Sequence, residues 1–135
     1  MIHYKKGYKY QLCRDCSIDT GIYPGRGGIH TDFLDLNENG RLICHNGYAW
    51  DGASGGAIDT SDSMRGSLAH DALYQMIRMG LLPESCRAEA DALLKKLCIE
   101  DGMNPIRAEL WRMAVRLFAA PYARYGTESE VLTAP

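Results

Sequence analysis

DGASGGAIDTSDS, residues Asp51 to Ser63, is where the chain changes character. Three glycines, two alanines and a run of small polar side chains leave almost nothing to bury, so the stretch reads as a glycine-rich loop. What lies on either side of it decides the fold. Upstream, Tyr8, Tyr10 and Leu12 alternate with Lys9 and Gln11, the period-two pattern of a half-buried strand. Phe33, Leu34 and Leu36 run into Asn37-Glu38-Asn39-Gly40, and Leu42-Ile43-Cys44 follows. Asn-Gly between two apolar runs is a strong hairpin signal, because both residues tolerate positive φ. A second pair, Asn46-Gly47, turns the chain into Tyr48-Ala49-Trp50. The first fifty residues therefore predict a small antiparallel meander.

Downstream of the loop the pattern is helical. A first helix is predicted from about Ser63, with Asp62 or Ser61 as its cap, to Met79, where Gly80 ends it. A second runs from near Pro83 to Glu100, with Cys86, Ala90, Leu93, Leu94 and Leu97 on one face. The third has the clearest start: Asn104 as N-cap and Pro105 at the first helical position. It carries Leu110, Met113, Ala114 and Leu117 to a stop at Pro121. Strands followed by helices give an α+β class. The expected organisation is one domain over residues 1–125 and a flexible polar tail over 126–135.

Composition narrows the function. The chain has 135 residues, enough to bury roughly two-thirds of its unfolded surface. It is 46% hydrophobic and carries a net charge of −2, with 15 basic and 17 acidic residues. That balance argues against a nucleic-acid binder, which would present a basic face. No apolar run reaches the ~18 residues of a membrane span, and the N-terminus MIHYKKGYKYQL lacks the apolar core of a signal peptide. A soluble protein made inside the cell is expected. Five cysteines without a secretion signal read as reduced thiols. Cys13-Arg14-Asp15-Cys16 has zinc-knuckle spacing that Cys44-His45 could complete, but a second C-x-x-C is missing.

The chemistry is in the first predicted helix. His70 and Asp71 are adjacent within Leu68, Leu73, Met76 and Ile77. Ionisable groups placed in an apolar setting need partners. With a short connection between the first two helices, the two should lie antiparallel. His70 and Asp91 then fall at comparable heights. A carboxylate there can accept the imidazole N–H, fix the tautomer and leave the other nitrogen free as a base. Asp71 is rotated about 100° from His70, toward the loop. Loop carbonyls with Asp51 and Asp71 would be hard-cation ligands suited to calcium. Each residue also has a plainer reading. His70 could meet a backbone carbonyl, Asp91 could pair with Lys95 or Arg87, and Tyr74 could be an ordinary core aromatic.

Ala69-His70-Asp71-x-x-Tyr74, followed by Ala90-Asp91-Ala92-Leu93-Leu94, resembles the active-site helices of secreted-type phospholipases of the A-two class. The disulfide-poor viral and microbial members are the closest in style. The resemblance implies a calcium-dependent hydrolase of lipid esters. His70 would be the base, Asp91 its orienter, Tyr74 a hydrogen-bonding tyrosine, and Asp71 the calcium ligand. A longer resemblance, over Trp50-Asp51-Gly52-Ala53-Ser54, His70-Asp71-x-x-Tyr74 and Arg87-x-x-Ala90-Asp91, is to a phage- and prophage-associated family, domain-of-unknown-function family 1353. It implies a phage-encoded protein of the host cytoplasm or the virion, with lipid or other phage or host proteins as partners. No activity follows from it. The competing expectation is a non-catalytic virion or host-interaction protein whose polar cluster is structural.

Overall fold

The structure, a computed structural model, describes residues 2–4, 10–50, 60–123 and 132–134. It has the α+β arrangement: an antiparallel sheet at the N-terminal side, then three helices. The central sheet holds β3 (Cys16–Asp19), β4 (Ile29–His30), β5 (Leu34–Leu36) and β6 (Arg41–Cys44) in the order β3-β6-β5-β4. Strand alternation decides which side is buried. Ile18, Leu34, Leu36, Leu42 and Cys44 point into the core, while Ser17 and Asp19 point out. Residues sharing a face are cross-strand partners, Ile18 with Leu42 and Leu36 with Leu42.

The β5–β6 turn is a refinement of the expected hairpin. Gly40 has φ +85° and no non-glycine residue among the described residues has positive φ, so Asn39 does not take the left-handed region. The Gly40 N–H donates to the Asn37 carbonyl and the Asn37 N–H donates to that of Arg41. That is a three-residue loop closed by a left-handed glycine, the commonest alternative to the two-residue turn. The strand after Asn46-Gly47 departs further from the meander. β7 (Ala49–Trp50) leaves the sheet and pairs with β2 (Tyr10–Gln11), a partner 38 or more residues upstream. Part of the expected tail is also a strand: β8 (Leu132–Ala134) pairs with β1 (Ile2–Tyr4).

The helices are α1 (Met64–Arg78), α2 (Arg87–Glu100) and α3 (Pro105–Phe118). The N-cap of α1 is Ser63 rather than Asp62 or Ser61. Its hydroxyl closes the preceding turn, accepting from the Thr60 N–H and donating to the Thr60 carbonyl. Gly80, at φ +76°, ends α1: its N–H returns to Ile77 and that of Leu81 to Met76, the paired bonds of a Schellman cap. α2 is preceded by a 3-10 turn over Glu84–Cys86 and closed the same way by Gly102. α3 starts as expected, with the Asn104 side chain accepting from the Ile106 N–H at 2.8 Å.

α1 and α2 form the expected antiparallel hairpin, and Arg65 near the start of α1 pairs with Glu100 and Asp101 at the end of α2. Gly66 lets the two backbones close. A Cβ there would stand 2.9 Å from Cys98 Sγ and 3.1 Å from the Leu94 carbonyl oxygen. Trp50 Nε1 donates to Ser67 Oγ at 3.2 Å and Tyr48 Oη to Gln75 Oε1 at 3.1 Å, tying the strands to α1. The apolar series of α3 lies on its outer side. Leu110, Met113 and Leu117 face solvent at 59%, 47% and 71% exposure, while Ala108 is buried. Its inward side is Ala108, Trp111 and Val115, packed on Leu94, Cys98 and Met103. The periodicity was that of a stripe, and a stripe alone does not say which side is inside.

Candidate functional site

The height match between α1 and α2 puts His70 against Asp91. His70 Nε2 lies 2.7 Å from Asp91 Oδ1, and Tyr74 Oη donates to the same oxygen at 2.6 Å. Tyr74 follows His70 by one helical turn, so both reach one point on α2, and their rings lie 4.1 Å apart. The second carboxylate oxygen, Oδ2, accepts from Arg116 Nη1 of α3 at 3.1 Å. Asp91 is wholly buried and His70 is 6% exposed. Each oxygen of the buried carboxylate therefore has a donor, as burial of a charge demands.

Around this core sits Arg87. Its Nε donates to Tyr74 Oη at 3.0 Å, and its Nη2 to the carbonyls of Val115 and Arg116 at 2.9 and 2.6 Å. One guanidinium thus ties the start of α2 to the end of α3 and orients the tyrosine. Of the plainer pairings open to Asp91, neither is formed. Lys95 pairs with Glu109 together with Arg112, and Arg87 goes to Tyr74 instead.

The electrostatics follow from the geometry. For Asp91, burial is the largest influence and raises its pKa, but the bonds from His70, Tyr74 and Arg116 outweigh it and the carboxyl is held below its usual range. For His70, burial is again largest and works against the charged ring, yet Asp71 and Asp91 together push its pKa above the ordinary value. Burial and the neighbouring Asp91 carboxylate raise the Tyr74 phenol, which stays protonated and can only donate to Asp91. His70 Nδ1 lies on the Asp71 side, 4.0 Å from Asp71 Oδ1, beyond hydrogen-bonding distance. With Nε2–H donating to Asp91, a neutral His70 carries its lone pair at Nδ1.

Of the five residues singled out in the sequence, the structure brings four together: His70, Asp71, Tyr74 and Asp91. Asp51 and the loop carbonyls expected to join Asp71 lie outside the described residues. Calcium needs six to eight oxygens. Among the described residues no group of three or more His, Cys, Asp or Glu side chains is placed to hold a metal, and Asp71 alone does not fit that requirement. The same holds for zinc: Cys16 and Cys44 are cross-strand partners, but with Cys13 and His45 they form no such group. Arg116 is the functional contact that sequence reasoning missed. The available signal was stoichiometric, since a buried Asp with a His and a Tyr on one oxygen leaves the other needing a donor.

A second histidine cluster lies on the outer face of the sheet. His45 Nε2 is 2.7 Å from Asp35 Oδ2 and its Nδ1 is 3.4 Å from Asp15 Oδ2, while His30 Nδ1 is 3.2 Å from Asp35 Oδ1. Among the described residues no helix is long and apolar enough to cross a membrane. No family model, curated protein or solved structure matches this chain.

Proposed function

We propose that this protein is an ester hydrolase in which His70 is the general base, Asp91 orients it and Tyr74 holds Asp91. The observation that carries the reading is the polarity of the pair. Nε2 is committed to a buried, charged Asp91 and Nδ1 is left as the lone-pair nitrogen beside Asp71. In the reaction Nδ1 takes a proton from water as the oxygen attacks the ester carbonyl, and Asp91 stabilises the imidazolium formed. The proton then passes to the leaving alkoxide, which returns His70 to its neutral form. The raised proton affinity of His70 strengthens it as a base.

Lipid esters are the proposed substrate class, on the likeness of the helix pair His70-Asp71-x-x-Tyr74 and Asp91 to the A-two phospholipases. A phage origin, in the host cytoplasm or the virion, is proposed on the likeness to family 1353. Calcium is the ion to test, with Asp71 the carboxylate that would meet it. The test is release of fatty acid from phospholipid, and of alcohol from a short-chain ester, with calcium present. Turnover by the wild type and its loss in His70→Gln supports the reading. Absence of turnover with calcium, manganese and zinc, with no shift of the melt by any of them, overturns it.

A second reading has its own observation. Asp91 is fully buried and accepts donors from both α1 and α3, so the cluster also has the form of a structural lock between three helices. On that reading His70→Gln lowers stability in a protein that cleaves nothing.

A further inference from the structure

An open cavity of about 260 Å³ lies between the start of α2, the end of α3 and the 3-10 turn over Ala120–Ala123. Two guanidiniums line it, Arg87 and Arg116, with Ser85, Ala88 and Ala120 as small neighbours and Glu84 as the one acid. Neither guanidinium is fully used. Arg116 spends Nη1 on Asp91 and Arg87 spends Nε and Nη2, which leaves Nε and Nη2 of Arg116 and Nη1 of Arg87 without hydrogen-bond partners among the described residues. More telling is charge. Arg87 is half-buried, its bonds run to a phenol and two carbonyls, and it forms no ion pair among the described residues. A partly desolvated cation without a counter-ion is an unfinished arrangement.

We propose that this cavity binds a phosphate-type oxyanion, gripped by the spare donors of Arg87 and Arg116. Guanidinium forks match tetrahedral oxyanions two bonds at a time. Volume limits the ligand: about 260 Å³ is below the roughly 300–1,000 Å³ of pockets for drug-sized molecules, so a single oxyanion group fits and a nucleotide does not. Glu84 opposes the anion from the rim. The site is independent of whether His70 turns over an ester.

The oxyanion has two sources, free phosphate or the phosphodiester of a lipid headgroup, and separate arms distinguish them. Inorganic phosphate and dimethyl phosphate are each titrated against the full chain at fixed ionic strength in chloride. Thermal melting and the Nε–H resonances of Arg87 and Arg116 are followed. A melt raised by mass action, with both Nε–H signals moving, is the expected result. A response to phosphate alone identifies the free ion, and a response to the diester identifies the headgroup; either supports the site. Arg116→Gln weakens binding about tenfold or more. Because that variant also disturbs Asp91, Ala88→Phe is the second test. Ala88 is exposed and lines the cavity, so a phenylalanine there is placed to crowd the anion and leaves the core intact. Loss of the response with an unchanged ligand-free melt is expected. Glu84→Gln should tighten binding by removing the opposing charge. No shift of either Nε–H with either anion, or a response that survives Ala88→Phe, overturns the proposal.

Discussion

Among the described residues two histidine–carboxylate pairs have the same length, and almost nothing else about them is alike. His70–Asp91 and His45–Asp35 both close at 2.7 Å through Nε2. The first is sealed between helices, with Asp91 at 0% side-chain exposure; the second lies on the open face of the sheet, with His45 at 33% and Asp35 at 24%. The difference is one of chemistry as well as burial. His45 has a carboxylate at each ring nitrogen, Asp35 on one side and Asp15 on the other. It has no nitrogen to spare. His70 also faces two carboxylates, but unequally: Asp91 bonds Nε2 at 2.7 Å, while Asp71 stands 4.0 Å from Nδ1. Pair distance therefore says little about energy or role. What decides is whether water can replace the partner and whether the second nitrogen is engaged.

Removing the carboxylate tests this most directly. Asp91→Ala leaves His70, Tyr74 and Arg116 without their acceptor in a closed site, and is expected to cost about 3–5 kcal/mol in denaturant unfolding. Asp35→Ala, deleting the partner of an equally short pair, should cost several-fold less. Comparable losses would break the comparison. Tyr74→Phe comes next, at about 1–3 kcal/mol, because Arg87 Nε loses its acceptor and Asp91 one of its donors. A variant as stable as the wild type would place Tyr74 outside the network.

The pH dependence separates the pairs by sign and by size. His70 and His45 have raised pKa values, so their contribution is complete below about 6.5 and is lost as pH rises through the folded values. Asp91 and Asp35 are lowered, so theirs is complete above about 3.8 and lost as pH falls through the folded values. Stability should be greatest between roughly pH 4 and 6.5 and decline on both sides. Melts across pH should show the alkaline decline flattened strongly by His70→Gln and only slightly by His45→Gln. Equal flattening would mean that burial adds nothing to the pair. The smallest effect is screening: the stability lost in Asp35→Asn should vanish in roughly 1 M salt, while the loss in Asp91→Ala persists.

Local signals in the sequence carried well where the physics is local. Asn104-Pro105 predicts a helix start because a side-chain acceptor and a fixed φ act within one turn. Gly40 and Gly80 predict chain reversals because only glycine takes positive φ cheaply. The His70–Asp91 pair was legible for a related reason: a short connection makes heights in a helix hairpin a matter of counting. Three features were not legible, and each depends on distant chain. β7 pairs with β2 across some forty residues, which no periodicity encodes. The apolar stripe of α3 says that two sides differ, yet the inside is marked by Ala108, Trp111 and Val115, none of which is on that stripe. Arg116 joins the site through α3, whose rotation is set by Glu109 meeting Lys95 and by Trp111 packing on α2.

The close approach at Gly66 turns one thiol into a clock. Cys98 is wholly buried under that glycine and Cys44 is wholly buried in the sheet, whereas Cys13 is exposed and Cys16 and Cys86 are intermediate. Burial also pushes the Cys98 and Cys44 thiols up to about 11 and about 12, so neither is a reactive thiolate while covered. Alkylation kinetics on the folded protein then read out in order of depth. Cys13 modifies at once, and Cys98 only when α1 parts from α2. Cys44 modifies only when the sheet opens. If the last two are modified at one rate, helices and sheet unfold together. If Cys98 leads, the helix hairpin that carries His70 opens on its own.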